Sequence, residues 1–321
     1  MGEIIIMISL LALACGISSG VLSAVGQSNT AIVIVFAHFA MLPIITVGLG
    51  YGTRNASIAA LCGVFTVISI TDIFSGCLYG ITIAFPCWFV VRHALLNRKL
   101  AQGYTDWYPV GYILSNLVGY GAMVLILAAT VSFDTENGFR GVIDKLIADI
   151  FERRLTIGGQ LNVSDLKYQI VSFFPSISVV VWLLILSLNS VFAQAILTWK
   201  GVELRPTPSY SNLTAPEWLY WALVASATIA LIGKGPYEYV GRNLAIVFAA
   251  TFFYIGLGII HGMVRRIASP NLALTAFYIF VIILGWPILA VAGLGFFEPW
   301  TKLQRRYDCQ NTDAQEEKKW K

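Results

Sequence analysis

The side chains that could do chemistry in this chain are few, and nearly all of them are uncharged. They lie within or beside long apolar stretches, where a polar group needs either a partner or a cavity. The set is His38, Arg54, Asn116, Asn189, Gln194 and His261. If several of these residues converge, they predict a cavity for a neutral or zwitterionic solute. The structural alternative is that each bonds a neighbouring helix, which stabilises a membrane bundle by about 1 kcal/mol or less.

His38 and His261 are the best candidates, because a cluster of glycines accompanies each of them. Glycine lets a second helix approach closely. The glycines are Gly48, Gly50, Gly256, Gly258 and Gly262. Arg54 ends the apolar run that contains His38, and it is expected at a headgroup boundary.

Motifs for other chemistries are missing from the sequence. The apolar cores contain no Asp, Glu, Lys or Arg, whereas ion-coupled pumps usually carry such a residue in the membrane. There is no G-x-x-x-x-G-K-[ST] or H-E-x-x-H sequence, and the three histidines are scattered. The sequence therefore predicts neither an enzyme nor a cofactor or metal site.

The composition is that of a membrane protein. Of the 321 residues, 57% are hydrophobic and 12% are charged, whereas soluble domains have about 25% charged residues. Such a chain cannot cover a globular surface with polar groups, so the lipid bilayer is its predicted partner. The net charge of +4 is spread over many loops, which argues against a nucleic-acid partner.

Nine apolar segments predict an all-α, polytopic transmembrane helix bundle. About 20 helical residues cross the core of a bilayer. The segments are 4–25, 31–50, 55–71, 73–92, 109–132, 169–199, 217–233, 243–264 and 271–297. Pro43 is expected to kink the second segment, because it lacks an N–H group. Asp72 alone separates the third and fourth segments, which predicts a tight hairpin or one incomplete span.

The distribution of Lys and Arg over the short loops predicts the orientation. Loops on the N-terminal side carry more of these residues, which places the N-terminus in the cytoplasm of a bacterial inner membrane. The polar tail over residues 300–321 is also expected in the cytoplasm. Both ends share one side only if the number of spans is even. We therefore expect eight full spans, within a range of eight to nine, and one segment that dips or lies flat.

One transmembrane domain is predicted over residues 1–299, with a polar insertion over 133–168. Apolar residues of the insertion recur at helical spacing, namely Phe139, Val142, Ile143, Leu146, Ile147, Ile150 and Phe151. This stripe predicts an amphipathic helix. The helix could lie in the membrane interface, pack on its own spans, or serve as a lid or partner site.

Residues 200–217 form a linker that three prolines keep extended: Pro206, Pro208 and Pro216. Thr214 and Glu217 fit a capping box. The next helix is therefore predicted to begin at Thr214.

Five stretches together resemble one known family. They are LPIITVGLGYGTRNASIAAL (42–61), DWYPVG (106–111), LRPTPSYSNLTAPEW (204–218), RNLAIVFAATFFYIGLGIIHGMVRR (242–266) and GFFEPWTKLQRR (295–306). They are similar to the YybS-like bacterial inner-membrane proteins, a family without an established activity. By fold, that family has been grouped with the substrate-binding S components of energy-coupling-factor vitamin transporters and with a rod-shape membrane protein. A typical S component has fewer helices and lacks the insertion, so no binding residue carries over.

Two functions from different classes follow. The first is a non-enzymatic subunit for solute binding or transport, which resembles an S component and is energised by partner proteins. The second is a structural or assembly factor of the cell envelope that acts through protein contacts. The kinked, glycine-rich bundle favours the first, and the amphipathic insertion favours the second. An enzyme acting on lipid is a third hypothesis, against which the lack of an intramembrane acid or base counts.

Overall fold

The computed structural model describes residues 2–26, 36–99, 105–135, 137–155, 164–210, 213–265, 267 and 269–301. Most of these residues are helical, which confirms the predicted all-α class. The helices are α1 (Gly2–Val25), α2 (Met41–Tyr51), α3 (Thr53–Ile70), α4 (Ile73–Ala94), α5 (Val110–Val131), α6 (Gly138–Leu155), α7 (Ser164–Lys200), α8 (Glu217–Ile232), α9 (Pro236–Val264), α10 (Pro270–Leu284), α11 (Pro287–Phe296) and α12 (Glu298–Thr301). A short antiparallel hairpin pairs β1 (Asn97–Lys99) with β2 (Thr105–Trp107).

Six helices in the described part of the chain are long and apolar enough to cross a membrane. Helices α10 and α11 pass the same test as a pair, but they are bent by 115°. The bend falls where Gly285 has a φ of 68° and Pro287 starts the second helix. Helices α2 and α8 are shorter apolar helices. The ninth predicted segment is therefore broken, and the count of eight full spans stays a prediction.

Four predicted elements reach beyond the described residues. Their residues outside the described set are 31–35 of the second segment, 136 and 156–163 of the insertion, 211–212 of the linker and 302–321 of the tail. The contacts divide the chain into two compact units. Unit 1 comprises Met1–Ile113 and Trp182–Pro208, and unit 2 comprises Leu114–Val181 and Ser209–Lys321. Helix α7 contributes its C-terminal half to unit 1 and its N-terminal half to unit 2.

In unit 1, α3 and α4 form the predicted tight hairpin. Asp72 precedes α4, and its carboxylate accepts hydrogen bonds from the backbone N–H of Ser75 at 3.0 Å and from the Ser75 hydroxyl at 2.7 Å. These hydrogen bonds hold the pKa of Asp72 below its usual value. A carboxylate at the N-cap accepts a hydrogen bond from a backbone N–H group that has no partner within the first helical turn.

The predicted kink at Pro43 takes the form of a break in the turn before the proline. Helix α2 begins at Met41, so Pro43 lies in its first turn, where a missing N–H group leaves no helical bond unmade. The chain turns over residues 38–40, just before this helix. The break therefore lies before the proline, and α2 starts directly after the break.

Pro86 produces a wider turn inside α4. Because proline lacks an N–H group, the Thr82 carbonyl has no backbone donor four residues later. The helix adopts a π-helical turn over Gly80–Ala84. The indole N–H of Trp182 donates to the Thr82 carbonyl at 2.7 Å. A side chain from α7 thus takes the acceptor that the proline leaves free.

In unit 2, α6 is the predicted amphipathic helix. Three residues of its stripe are buried or partly buried against Val171 of α7, namely Phe139, Ile143 and Ile147. Packing on the chain's own spans is therefore confirmed for this part of the stripe. Val142 and Leu146 on its other edge are exposed. The side chains of Ile150 and Phe151 lie outside the described set.

Helix α8 begins at Glu217, so the predicted start at Thr214 is wrong. Pro216 precedes the helix in an extended conformation, and no side chain caps it. A residue before a proline avoids the helical conformation, which prevents an earlier start. Helices α8 and α11 both pack along α9.

Candidate functional site

Unit 2 contains a cavity of about 780 Å³ at the ends of three transmembrane helices. The end of α5 and the starts of α7 and α9 form its walls, and the first two turns of α6 line one side. Its apolar lining includes Ile126, Ala129, Phe133, Phe139, Val171 and Val240. Small-molecule sites typically enclose about 300–1,000 Å³ and are mostly apolar, with a few polar groups that fix orientation. The cavity has these properties.

Charged side chains from α6 and α9 give the cavity its polarity. They are Arg140, Asp144, Lys145, Glu238 and Arg242. Three cations against two carboxylates leave one net positive charge. Lys167 pairs with Asp144 at 3.2 Å, and Arg242 Nη1 lies 3.3 Å from Glu238 Oε1. Both pairs are partly exposed, so each contributes little to stability.

Two aromatic rings hold the arginines in place. Arg140 Cζ lies 4.8 Å from the centroid of the Tyr168 ring, and Arg242 Cζ lies 5.2 Å from that of Phe173. Such cation–π contacts limit the freedom of the guanidinium groups. Arg242 Nε is buried and has no hydrogen-bond acceptor among the described residues. This donor therefore remains unused beside the cavity.

The inner surface of the cavity is built where α7 contains a proline. Pro175 lies inside this helix and lacks the N–H group that would bond the Val171 carbonyl. The Tyr239 hydroxyl donates to that carbonyl at 2.7 Å. Val171 and Tyr239 both line the cavity. The proline and its replacement donor thus determine the shape of this wall.

Asn243 binds two backbone groups of the helical turn that contains Pro175. Its side chain is fully buried. Asn243 Oδ1 accepts from the backbone N–H of Ser176 at 3.0 Å, and Nδ2 donates to the Ser172 carbonyl at 3.1 Å. A helical bond would join these two backbone groups directly. A further donation from Nδ2 to the Tyr239 carbonyl at 2.9 Å fixes the amide orientation.

Four of the six residues predicted as site candidates lie in unit 1. Asn189 Nδ2 donates to the main-chain carbonyl of His38 at 2.9 Å, so these two residues are brought together. Gln194 Nε2 donates to the Arg205 carbonyl at 2.8 Å. Arg54 is exposed in the first turn of α3. Solute binding by these residues stays a prediction.

Asn116 and His261 lie in unit 2. His261 Nδ1 is 2.8 Å from the Leu257 carbonyl, and its Nε2 is 3.4 Å from the Tyr278 hydroxyl. Asn116 is half-buried in α5. All six candidates are described residues, and none of them lines the cavity. Other residues therefore form it.

In the sequence, the two arginines of the cavity give no sign of a shared site. Arg140 lies on the polar face of the amphipathic insertion helix, and Arg242 directly precedes the eighth predicted segment. The signal that could have connected them is Pro175. A proline in an apolar segment leaves a carbonyl free in lipid, which requires a polar partner such as Tyr239 or Asn243.

Comparison with known families identifies the chain. Residues 5–298 match the family described as "Predicted membrane protein (DUF2232)". Because the match covers nearly the whole chain, the protein belongs to this family. Comparisons with curated proteins and with solved structures gave no match.

Proposed function

We propose that this member of a predicted membrane protein family is a non-enzymatic subunit that binds a small solute in the cavity of unit 2. The observation that carries the proposal is the cavity itself, which combines about 780 Å³ with apolar walls and charged groups from two helices. Its size and lining match those of small-molecule sites. Transport is the process that such binding would serve.

The amphipathic helix α6 supports this proposal. Its buried residues fix it to α7, while its first two turns line the cavity. Asn137 and Gly138 have φ angles of 63° and 58°, a conformation that turns the chain sharply between α5 and α6. The contact of α6 with the cavity supports the lid hypothesis for the insertion.

The predicted orientation places the cavity on the outer side of a bacterial inner membrane. Lys and Arg are more numerous in the loops of the opposite side, so the insertion is expected outside the cytoplasm. A transport subunit resembling an S component would collect its solute there. Its energy would come from partner proteins, because the sequence lacks a phosphate-binding G-x-x-x-x-G-K-[ST] motif.

The proposal is tested by mass spectrometry of the small molecules that co-purify with the full chain in mild detergent. Ala129 lines the cavity from α5, so Ala129→Trp should fill part of it and displace most of the bound solute. The matched control is Leu127→Trp on the same helix, at a position that is 55% exposed and does not line the cavity. The control should retain the solute.

Two results would contradict solute binding in this cavity. One is equal retention of every co-purified molecule by the two variants. The other is a wild-type protein without any small molecule but with a stoichiometric protein partner. That second result would support the rival function, an envelope assembly factor, for which the exposed apolar edge of α6 at Val142 and Leu146 provides a contact surface.

A further inference from the structure

We infer that the ligand of the cavity is an amphiphile of net negative charge, in which an oxyanionic group such as a phosphate or carboxylate is joined to an apolar body and no cation of the ligand compensates it. This inference rests on the proposed function and specifies the chemical class of its solute. It depends on how the charged and apolar side chains are distributed around the cavity.

Two arginines provide the oxyanion site. A planar guanidinium can give two parallel hydrogen bonds to one oxyanion. Arg140 and Arg242 both line the cavity, and each lies against an aromatic ring. Arg242 gives an Nη1 hydrogen bond to Glu238, but its buried Nε has no acceptor among the described residues. The Arg242 side chain as a whole keeps 33% of its surface exposed, so an entering oxyanion can reach the guanidinium group.

Among the described residues of the lining, the carboxylates do not cancel the positive charge. The lining has three cations, Arg140, Lys145 and Arg242, and two carboxylates, of which Asp144 is also paired with Lys167 from outside the lining. The described lining therefore keeps one net positive charge. The first turns of α6 and α9 also line the cavity. The positive ends of these helix dipoles add to the attraction for an anion.

The remaining wall suits an apolar body. Ile126, Ala129 and Phe133 present hydrocarbon surface from the end of α5, and Val240 does so from α9. Removing apolar ligand surface from water is favourable in proportion to its area. An amphiphilic anion can use both walls at once, whereas inorganic phosphate can use only the charged one. We therefore expect the amphiphile to bind more tightly.

Native mass spectrometry of the full chain from a neutral detergent tests this inference. The probes are phosphatidylglycerol, phosphatidylcholine, hexyl phosphate and inorganic phosphate. We expect an anionic amphiphile to be retained at least about tenfold better than phosphatidylcholine, as one charge-assisted contact would allow. Retention of phosphatidylglycerol alone identifies a lipid from the bilayer. Retention of hexyl phosphate identifies a free amphiphile.

Variants locate the binding. Arg140→Gln and the double variant Arg140→Gln/Arg242→Gln should lose the preference for the anion, and the single variant keeps the test decisive if the double variant does not fold. Lys234→Gln is the matched control, because Lys234 is exposed next to α9 and does not line the cavity. It should keep the preference.

Two outcomes would overturn the inference: an equal preference in Arg140→Gln and the wild type, or equal retention of phosphatidylcholine and the anions. The proposed function fails separately. If Ala129→Trp displaces a neutral compound while the arginine variants change nothing, the cavity binds a solute but the oxyanion class is wrong. If Ala129→Trp displaces nothing, the cavity is not the site.

Discussion

Replacing Asn243 by leucine should lower the free energy of unfolding by about 2–4 kcal/mol. Leucine removes the side-chain hydrogen bonds that Asn243 makes to the Ser172 carbonyl and the Ser176 N–H group of α7, and both backbone groups stay buried. Pro175 keeps the helix from closing the gap, because its ring conflicts with the carbonyl four residues earlier. The measurement is equilibrium unfolding in mixed micelles.

Two comparisons separate this effect from a general loss of polarity. Asn271→Leu changes an exposed asparagine in the first turn of α10 and should alter stability by no more than about 0.5 kcal/mol. Pro175→Ala, added to Asn243→Leu, should recover part of the loss, because alanine supplies an N–H group to the Val171 carbonyl and lets α7 straighten. If the effects of the two substitutions on the free energy of unfolding were strictly additive, Asn243 would not act on the turn that contains Pro175.

A second large effect is expected where α11 crosses α9. Gly256 and Gly295 lie so close to the opposite backbone that an added Cβ would overlap the carbonyl oxygens of Val291 and Phe252, respectively. Backbone atoms cannot move aside as the end of a flexible side chain can. Gly256→Ala and Gly295→Ala should each lower the free energy of unfolding by about 2–3 kcal/mol, because the helices must separate.

The matched controls are glycines of the same two helices. Gly262 in α9 and Gly293 in α11 have no atom within 4 Å of an added Cβ. Alanine is a better helix former than glycine, so Gly262→Ala and Gly293→Ala should be neutral or stabilising by up to about 1 kcal/mol. The same assay measures all four variants. Similar effects at all four positions would contradict the close approach of α11 to α9.

The helices could be predicted from the sequence because their signal is local. Each predicted apolar segment corresponds to a helix or helix pair, and the stripe from Phe139 to Phe151 identified α6 by its spacing. The exact boundaries were less predictable where a proline acts. Pro43 lies in the first turn of a helix that starts after a break, and Pro216 delays the start of α8 past the predicted Thr214. Both outcomes depend on where the helical bonds begin, which apolar periodicity does not record.

The cavity could not be predicted because its groups meet across long distances in sequence. Tyr239 donates to a carbonyl 68 residues earlier in the sequence. Asn243 lies at the edge of a predicted segment, where a polar residue does not indicate a buried contact. Arg140 and Arg242 come from an insertion and a loop that the sequence does not place together. They line one cavity because α6 packs against both α7 and α9, and only a three-dimensional structure shows this packing.

The most direct test of solute binding is photocrosslinking in growing cells. A benzophenone amino acid placed at Phe133, which lines the cavity and is 61% exposed, would react with whatever occupies it. The same residue at Leu127, outside the cavity on the same helix, reports the surrounding lipid or protein. We expect a small-molecule adduct at residue 133 that is missing at residue 127. Identical adducts at both positions, or a protein adduct alone at residue 133, would contradict the proposed function.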